Sequence, residues 1–403
     1  MKAFPLLTDI DFSGKRVLMR VDHNVDVDAD GNLKSDEKIR ATLPTIELLL
    51  KQKARLILMT HVGRPKGKVD PRYSTAGVAA HLQTLLPDTR VRQIPQTVGP
   101  EAEKAAEALQ PGHILYLENV RFSPDEEGEP EQQKVLGAKL AALADVFVNE
   151  AFASCHEYEE ASTCAVARQL PAYAGINLQK EVAMLSPVLH DPPRPLTLII
   201  SGAKMETKIP VIEHFLGKGD FILLGGAIAN TFLAAKTGSI GQSKFEADRM
   251  DEAKKIMERS GKNGSAVIEI PLDCVVASQA SETAEKKNVS AEGIPPDMSI
   301  FDVGSATIDH YISVIERSRM IVWNGPMGLY EMENFAEGTK RIADAVAVAT
   351  KKGTVTIVGG GDTIDFHARH ALPLTAYSFV STGGGAMLEF ISGKPMPALE
   401  MLL

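Results

Sequence analysis

The chain has 403 residues, 44% hydrophobic and 24% charged, with a formal net charge of −9; that length suggests two or three domains, each able to bury a core. The acidic balance argues against a broad nucleic-acid surface, while leaving room for a local basic pocket and a small phosphorylated substrate. Cys155, Cys164 and Cys274 lack CxxC spacing, and no apolar run is long enough to span a bilayer, so the expectation is a cytoplasmic protein with free thiols and no membrane or nucleic-acid partner; a monomer is expected as well, although no sequence feature fixes the oligomeric state.

Apolar β-type runs alternate with helical patterns along the chain. In the first half the runs are 16–21, 56–60, 114–117 and 145–149, separated by helix-like stretches at 36–53, 75–86 and 131–143. Leu178, Val182, Leu185 and Leu189 then mark a helix that ends at Asp191-Pro192-Pro193-Arg194-Pro195. Prolines this dense stop a helix and stiffen a connector, so 177–195 reads as a hinge helix. In the second half the runs are 196–200, 221–224, 267–270, 320–323 and 355–358, with the clearest helices at 246–259 and 335–351. The polar stretch 277–302 lacks a clear period and reads as a hairpin or loop excursion. Near-continuous apolar strands alternating with helices indicate parallel sheets covered on both faces. The predicted class is α/β: two Rossmann-like three-layer αβα domains, 1–176 and 196–390, joined by the hinge helix, with a ligand cleft between them.

The strand ends carry the chemistry. Asp22, His23 and Asn24 follow the first strand, His61, Gly63 and Arg64 the second, and Glu118-Asn119-Val120-Arg121 the third, while Arg40 lies on the 36–53 helix. Each alone reads as turn chemistry or solvated surface. Together they bring His and Arg to the sheet edge where open α/β sheets bind ligands, and arginine forks suit phosphate and carboxylate. In the second half, Gly202 precedes Lys204 and Lys208, which are four apart and expected on one face of a helix start. Leu224-Gly225-Gly226, Trp323-Asn324-Gly325-Pro326 and Ser381-Thr382-Gly383-Gly384-Gly385 are further glycine-bearing ends. Gly359-Gly360-Gly361-Asp362-Thr363 ends a β-branched run and opens a helix that Asp362 or Thr363 can cap, an anion cradle. A nucleotide and its phosphates are the best reading of this half, although neither a Walker A nor a GxGxxG pattern is present. His113, His190, His214, His310 and His370 have no ligand-like grouping.

In this order, these motifs closely resemble the phosphoglycerate kinase family, end to end. The resemblance implies reversible phosphoryl transfer from 1,3-bisphosphoglycerate to Mg-ADP, giving 3-phosphoglycerate and ATP. Asp22, Asn24 and Arg40 would hold the reacting end of the glycerate, with His23 alongside; His61, Gly63, Arg64, Arg121 and His156 would serve its far phosphate. Lys204, Lys208, Gly361 and Gly384 would act at the transfer, and Asp362 would hold Mg²⁺ beside Thr363 and Gly360. Gly202, Gly225, Gly226, Gly304, Asn324, Pro326 and Glu331 would complete the nucleotide site, and the tail 391–403 would pack back on the first domain.

The sequence departs from the family pattern at Asp26, where proline is usual, at His23, where an aromatic or apolar residue is common, in 302–307, which lacks the usual Pro-Lys pair, and most of all in one stretch. After Asn149-Glu150-Ala151-Phe152 the family continues to His-Arg-Ala-His, whereas here the run is His156-Glu157-Tyr158-Glu159-Glu160. Glu157 stands for an arginine ligand of the far phosphate. The expectation is that the acidic run turns outward and three cations suffice. The alternatives are weakened or altered acceptor specificity, and a nucleotide-binding relative without catalysis.

Overall fold

The computed structural model describes residues 4–25, 33, 35–156, 158–202 and 205–402. Two compact units emerge, one of Met1–Ala183 with Lys394–Leu403 and one of Met184–Gly393. The helix Ile176–His190 runs through the division.

In the first unit, β1 (Arg16–Arg20), β2 (Arg55–Met59), β3 (Val91–Gln93), β4 (Ile114–Tyr116), β5 (Val146–Asn149) and β6 (Ala172–Ala174) form one parallel sheet in the order β3-β4-β2-β1-β5-β6. Val17 and Met19 of β1, with Leu56 and Leu58 of β2, pack against Ile39, Ile46 and Leu49 of the helix Glu37–Lys51. Spacings of seven and three place these helical residues on one stripe facing the sheet. The register pairs Arg20 with Met59 and Asn149, and Leu58 with Tyr116. The loops after β1, β2, β4 and β5 therefore leave one common edge.

The second unit repeats the scheme with β7 (Leu196–Ile200), β8 (Phe221–Leu224), β9 (Val267–Glu269), β10 (Asp273–Ala277), β11 (Lys287–Ser290), β12 (Ser299–Val303), β13 (Met320–Asn324), β14 (Val355–Gly359) and β15 (Phe379–Ser381). The parallel sheet runs β15-β14-β13-β7-β8-β9. Ile200 pairs with Leu224 and Asn324, and Gly359 with Asn324 and Ser381, so five loop starts again share one edge. Of the two readings of the polar stretch 277–302, a hairpin or a loop excursion, the structure is nearer the first: the stretch supplies β11 and most of β12 to a separate antiparallel sheet, β11-β10-β12. Its inner strand buries Cys274 and Val276, whereas β11 is largely exposed and carries no apolar run.

Candidate functional site

At the edge of the first sheet, the pieces of the predicted acceptor site converge around Arg20, a fully buried arginine. Its guanidinium donates to Ser162 Oγ at 2.8 Å, to Ser154 Oγ at 3.2 Å and to His61 Nδ1 at 2.8 Å. Because arginine only donates, Nδ1 accepts, and the neutral ring carries its proton on Nε2. Burial, followed by the positive charges of Arg20, Arg121, Lys38 and His156, holds His61 well below the usual imidazole range. Asn24 Oδ1 accepts from the Gly63 N–H at 2.8 Å, and Asn119 Nδ2 donates to the Val62 carbonyl at 2.7 Å, fixing the loop after β2. Arg64 is exposed there with no ion pair or hydrogen bond among the described residues. His156 stacks on Tyr158, with ring centroids 4.8 Å apart.

Several sequence expectations change at this edge. His23 is inside the core: Tyr116 OH lies 2.8 Å from Nδ1, and Thr42 Oγ1 lies 2.9 Å from Nε2. Burial lowers its pKa to about 3, so it is a neutral internal residue whose side chain does not face a substrate. Gly63, expected to admit a ligand, has φ of +60° and the Tyr73 ring where a Cβ would stand. Arg40 is exposed and tied to Asp36 at 2.8 Å, one helical turn back. The helix cation that reaches the edge is Lys38, whose Nζ lies 2.9 Å from Asp22 Oδ2. The acidic run divides: Glu159 pairs outward with Arg168, whereas Glu160 is fully buried and takes Arg121 Nη2 at 2.8 Å. Glu157 lies outside the described residues.

The second unit holds a cavity of about 500 Å³ at its sheet edge, lined among others by Gly202, Gly226, Pro326, Glu331 and Asp362, a size suited to a small-molecule ligand. Met327, Leu329, Tyr330, Phe301 and Lys244 line it too, and no motif in the sequence singled them out as ligand residues. The 323–328 loop is rigid because each turn is pinned: Trp323 Nε1 donates to Gly325 O at 2.8 Å, Gly325 N to Thr363 Oγ1 at 2.8 Å, and Met327 N to Thr339 Oγ1 at 3.0 Å. Thr363 is thus a buried strut beneath the loop, and no side chain caps the helix Gly361–Arg369, whose N-cap is Gly360. Gly360 has φ of +100°, and a Cβ there would stand 2.8 Å from Asn324 Nδ2. Gly361 and Gly384 face open space at the Cβ position. Gly225 backs onto Met327, and Gly304 fits against Asp273 and Asn288 as the N-cap of the helix Ser305–Ile315, outside the cavity lining.

Lys208 lies just before the helix Ile209–Leu216 and not within it, and its ammonium donates to Asn324 Oδ1. Asn324 Nδ2 in turn donates to the Gly359 carbonyl at 3.0 Å. Burial lowers the Lys208 pKa to about 8 against the pull of Asp362. Lys204 lies outside the described residues.

Comparison with known proteins decides the family. The sequence profile for phosphoglycerate kinase matches residues 7–394. The chain belongs to the phosphoglycerate kinase family. Membership makes it an enzyme, a phosphotransferase with a nucleotide substrate. It is 44% identical over 397 residues to the phosphoglycerate kinase of Chloroflexus aurantiacus, covering 98% of each chain. It is 44% identical over 396 residues to that of Thermomicrobium roseum, again covering 98% of each. Among solved structures, phosphoglycerate kinase from Coxiella burnetii superposes with a TM-score of 0.84 at 37% identity, covering 99% of this chain and 98% of that one. The enzyme from Pyrococcus horikoshii gives 0.86 at 31% identity, covering 98% of both.

Proposed function

We propose that the chain moves a phosphoryl group reversibly between 1,3-bisphosphoglycerate and Mg-ADP, giving 3-phosphoglycerate and ATP, the glycolytic reaction of its family. The observation that carries this reading is the second-unit cavity, with Asp362 on its lining and the partly buried Lys208–Asn324 pair at the same sheet edge. The apolar side chains Met327, Leu329 and Phe301 suit an adenine ring, Glu331 a ribose, and the open glycines Gly361 and Gly384 leave room for phosphate oxygens. Among the described residues, no group of three or more His, Cys, Asp or Glu could hold a metal. A lone carboxylate such as Asp362 fits Mg²⁺, which is commonly bound through one or two carboxylates and the substrate's own phosphates. When bound, the ion would neutralise charge on the nucleotide phosphates.

The protein's part is positioning and charge, because phosphoryl transfer needs in-line alignment more than covalent chemistry. Lys208, desolvated and aimed by Asn324, would meet the nucleotide phosphates, a task that the family pattern also gives to Lys204. In the first unit Lys38, held by Asp22, would take the role that the sequence suggested for Arg40, beside the acceptor carboxylate. Arg64 and neutral His61 would donate to its far end. Transfer would follow closure of the two units, which excludes water and limits wasteful hydrolysis. We further read the protein as a cytoplasmic monomer. The test is NADH consumption with 3-phosphoglycerate, MgATP and glyceraldehyde-3-phosphate dehydrogenase. Turnover that needs both substrates and magnesium is expected, and ATP binding without turnover would overturn the reading.

A further inference from the structure

Arg121 is already occupied by the protein itself. It is about nine-tenths buried; its Nη2 lies 2.8 Å from Glu160 Oε1 and 2.7 Å from Glu127 Oε1, and its Nη1 donates to the Gly63 carbonyl at 3.4 Å. Its Nε is buried with no hydrogen-bond partner, a donor left over at this edge. Glu160 has no exposed side-chain surface, and its other oxygen lies 3.7 Å from Arg20. Glu126, also buried, accepts the Ser162 N–H at 3.0 Å on the far side of the same serine that Arg20 holds. Two arginines thus face Glu127 and Glu160, with Glu126 one serine away, before any ligand arrives. An anion-binding pocket needs uncompensated positive charge, and a dianionic phosphate entering this cluster would meet carboxylates as well as cations.

We propose that Glu127 and Glu160 are specificity-determining residues of the acceptor site, holding Arg121 as an internal ion pair that competes with the acceptor's far phosphate. The two differ in kind. Glu160 is a fixed counter-charge, because expelling a buried carboxylate from two arginines would leave uncompensated charge inside the protein. Glu127 is half-exposed, at 50% of its side-chain surface, and is the arm a ligand can displace. Recognition of the far phosphate then rests chiefly on Arg64, which has no ion pair among the described residues. Acceptors with a less charged far end lose less here than a phosphate does, so the site is less selective for phosphate than its cation count suggests. This inference rests on the phosphoglycerate reading above.

The experiment measures the Kd of 3-phosphoglycerate by titration calorimetry, and its KM by the coupled assay, in wild type, Glu127→Gln, Glu127→Lys and Glu160→Gln. Glu127→Gln should lower both by about two- to five-fold, the factor that corresponds to a surface ion pair, and Glu127→Lys should lower them further. The KM for MgATP should stay unchanged, which a general structural effect would not spare. Glu160→Gln should lower the Kd more than Glu127→Gln wherever its circular dichroism matches wild type; the surface variants decide the matter if it does not fold. An active wild type whose constants do not move in either Glu127 variant overturns the inference alone. Absence of both 3-phosphoglycerate binding and turnover in every protein overturns the phosphoglycerate reading along with it.

Discussion

Replacing Lys38 by Met should damage transfer far more than replacing Arg40 by Met, the reverse of what the sequence suggested. Lys38 Nζ lies 2.9 Å from Asp22 Oδ2, with side chains 33% and 11% exposed. At an effective dielectric of about 20 the Coulomb term for such a pair is about 6 kcal/mol. Partial exposure screens it and each partner is desolvated, so its net worth to the empty protein is about 1 kcal/mol. The larger loss comes when developing charge on the transferring group meets no cation. Removing one preorganised electrostatic group of this kind costs about 10²–10³ in kcat. Arg40 contributes only an exposed pair one turn along its own helix, so its loss should barely change stability and leave kcat within about two-fold. Steady-state rates with saturating MgATP and 3-phosphoglycerate, alongside thermal melts, check both. A larger fall in kcat for Arg40→Met than for Lys38→Met would refute the assignment.

Three further outcomes follow from the geometry. Because burial brings the Lys208 pKa down to about 8, kcat/KM for MgATP should fall above that pH with the loss of one proton. Lys208→Arg should move the fall out of the accessible range, as a pH–rate profile would show. Gly226 has φ of +62°, and a Cβ would stand 2.7 Å from Ser201 Oγ; Gly226→Ala should cost about 1–3 kcal/mol in denaturant melts and weaken ADP binding in calorimetry. Glu150, buried beneath Thr45 Oγ1 and the Asn177 and Leu178 N–H groups, has its pKa raised to about 8, chiefly by burial. A raised carboxyl stabilises the fold fully below its unfolded pKa, and that contribution is lost as pH rises through 8. Unfolding free energy should therefore decline between about pH 4.5 and 8, by at most about 5 kcal/mol, and Glu150→Gln should flatten that decline in melts across the range.

The long parallel strands were legible because an unbroken apolar run such as Met320-Ile321-Val322-Trp323 has few other homes in a soluble chain. Of the three-residue strands, Ile114–Tyr116 and Val267–Glu269 lie in apolar runs and were legible, whereas Val91–Gln93, Ala172–Ala174 and Phe379–Ser381 were not, since so few residues carry no period and these three lie in no longer apolar run. Lys38 was missed through helical phase. Residues 38 and 40 stand about 200° apart at 100° per residue, and the followers of Lys38, Thr42, Thr45 and Leu49, are buried. Those of Arg40, Pro44 and Glu47, are exposed, so the stripe itself carried the signal. The split at Glu159 and Glu160 has a similar cause. Glu160 has extended backbone at φ −124° and ψ 153°, and neighbouring side chains on extended backbone point to opposite sides. One carboxylate therefore reaches Arg168 while the next enters the protein, a choice the composition of an acidic run cannot reveal.

The central claim is that this site phosphorylates a carboxylate, and trapping the product tests it most directly. Incubation with MgATP, 3-phosphoglycerate and hydroxylamine should yield a hydroxamate, because hydroxylamine captures an acyl phosphate, in step with ADP release. ADP release without hydroxamate, equal with and without 3-phosphoglycerate, would show that the carboxylate is not the acceptor and would contradict the assignment.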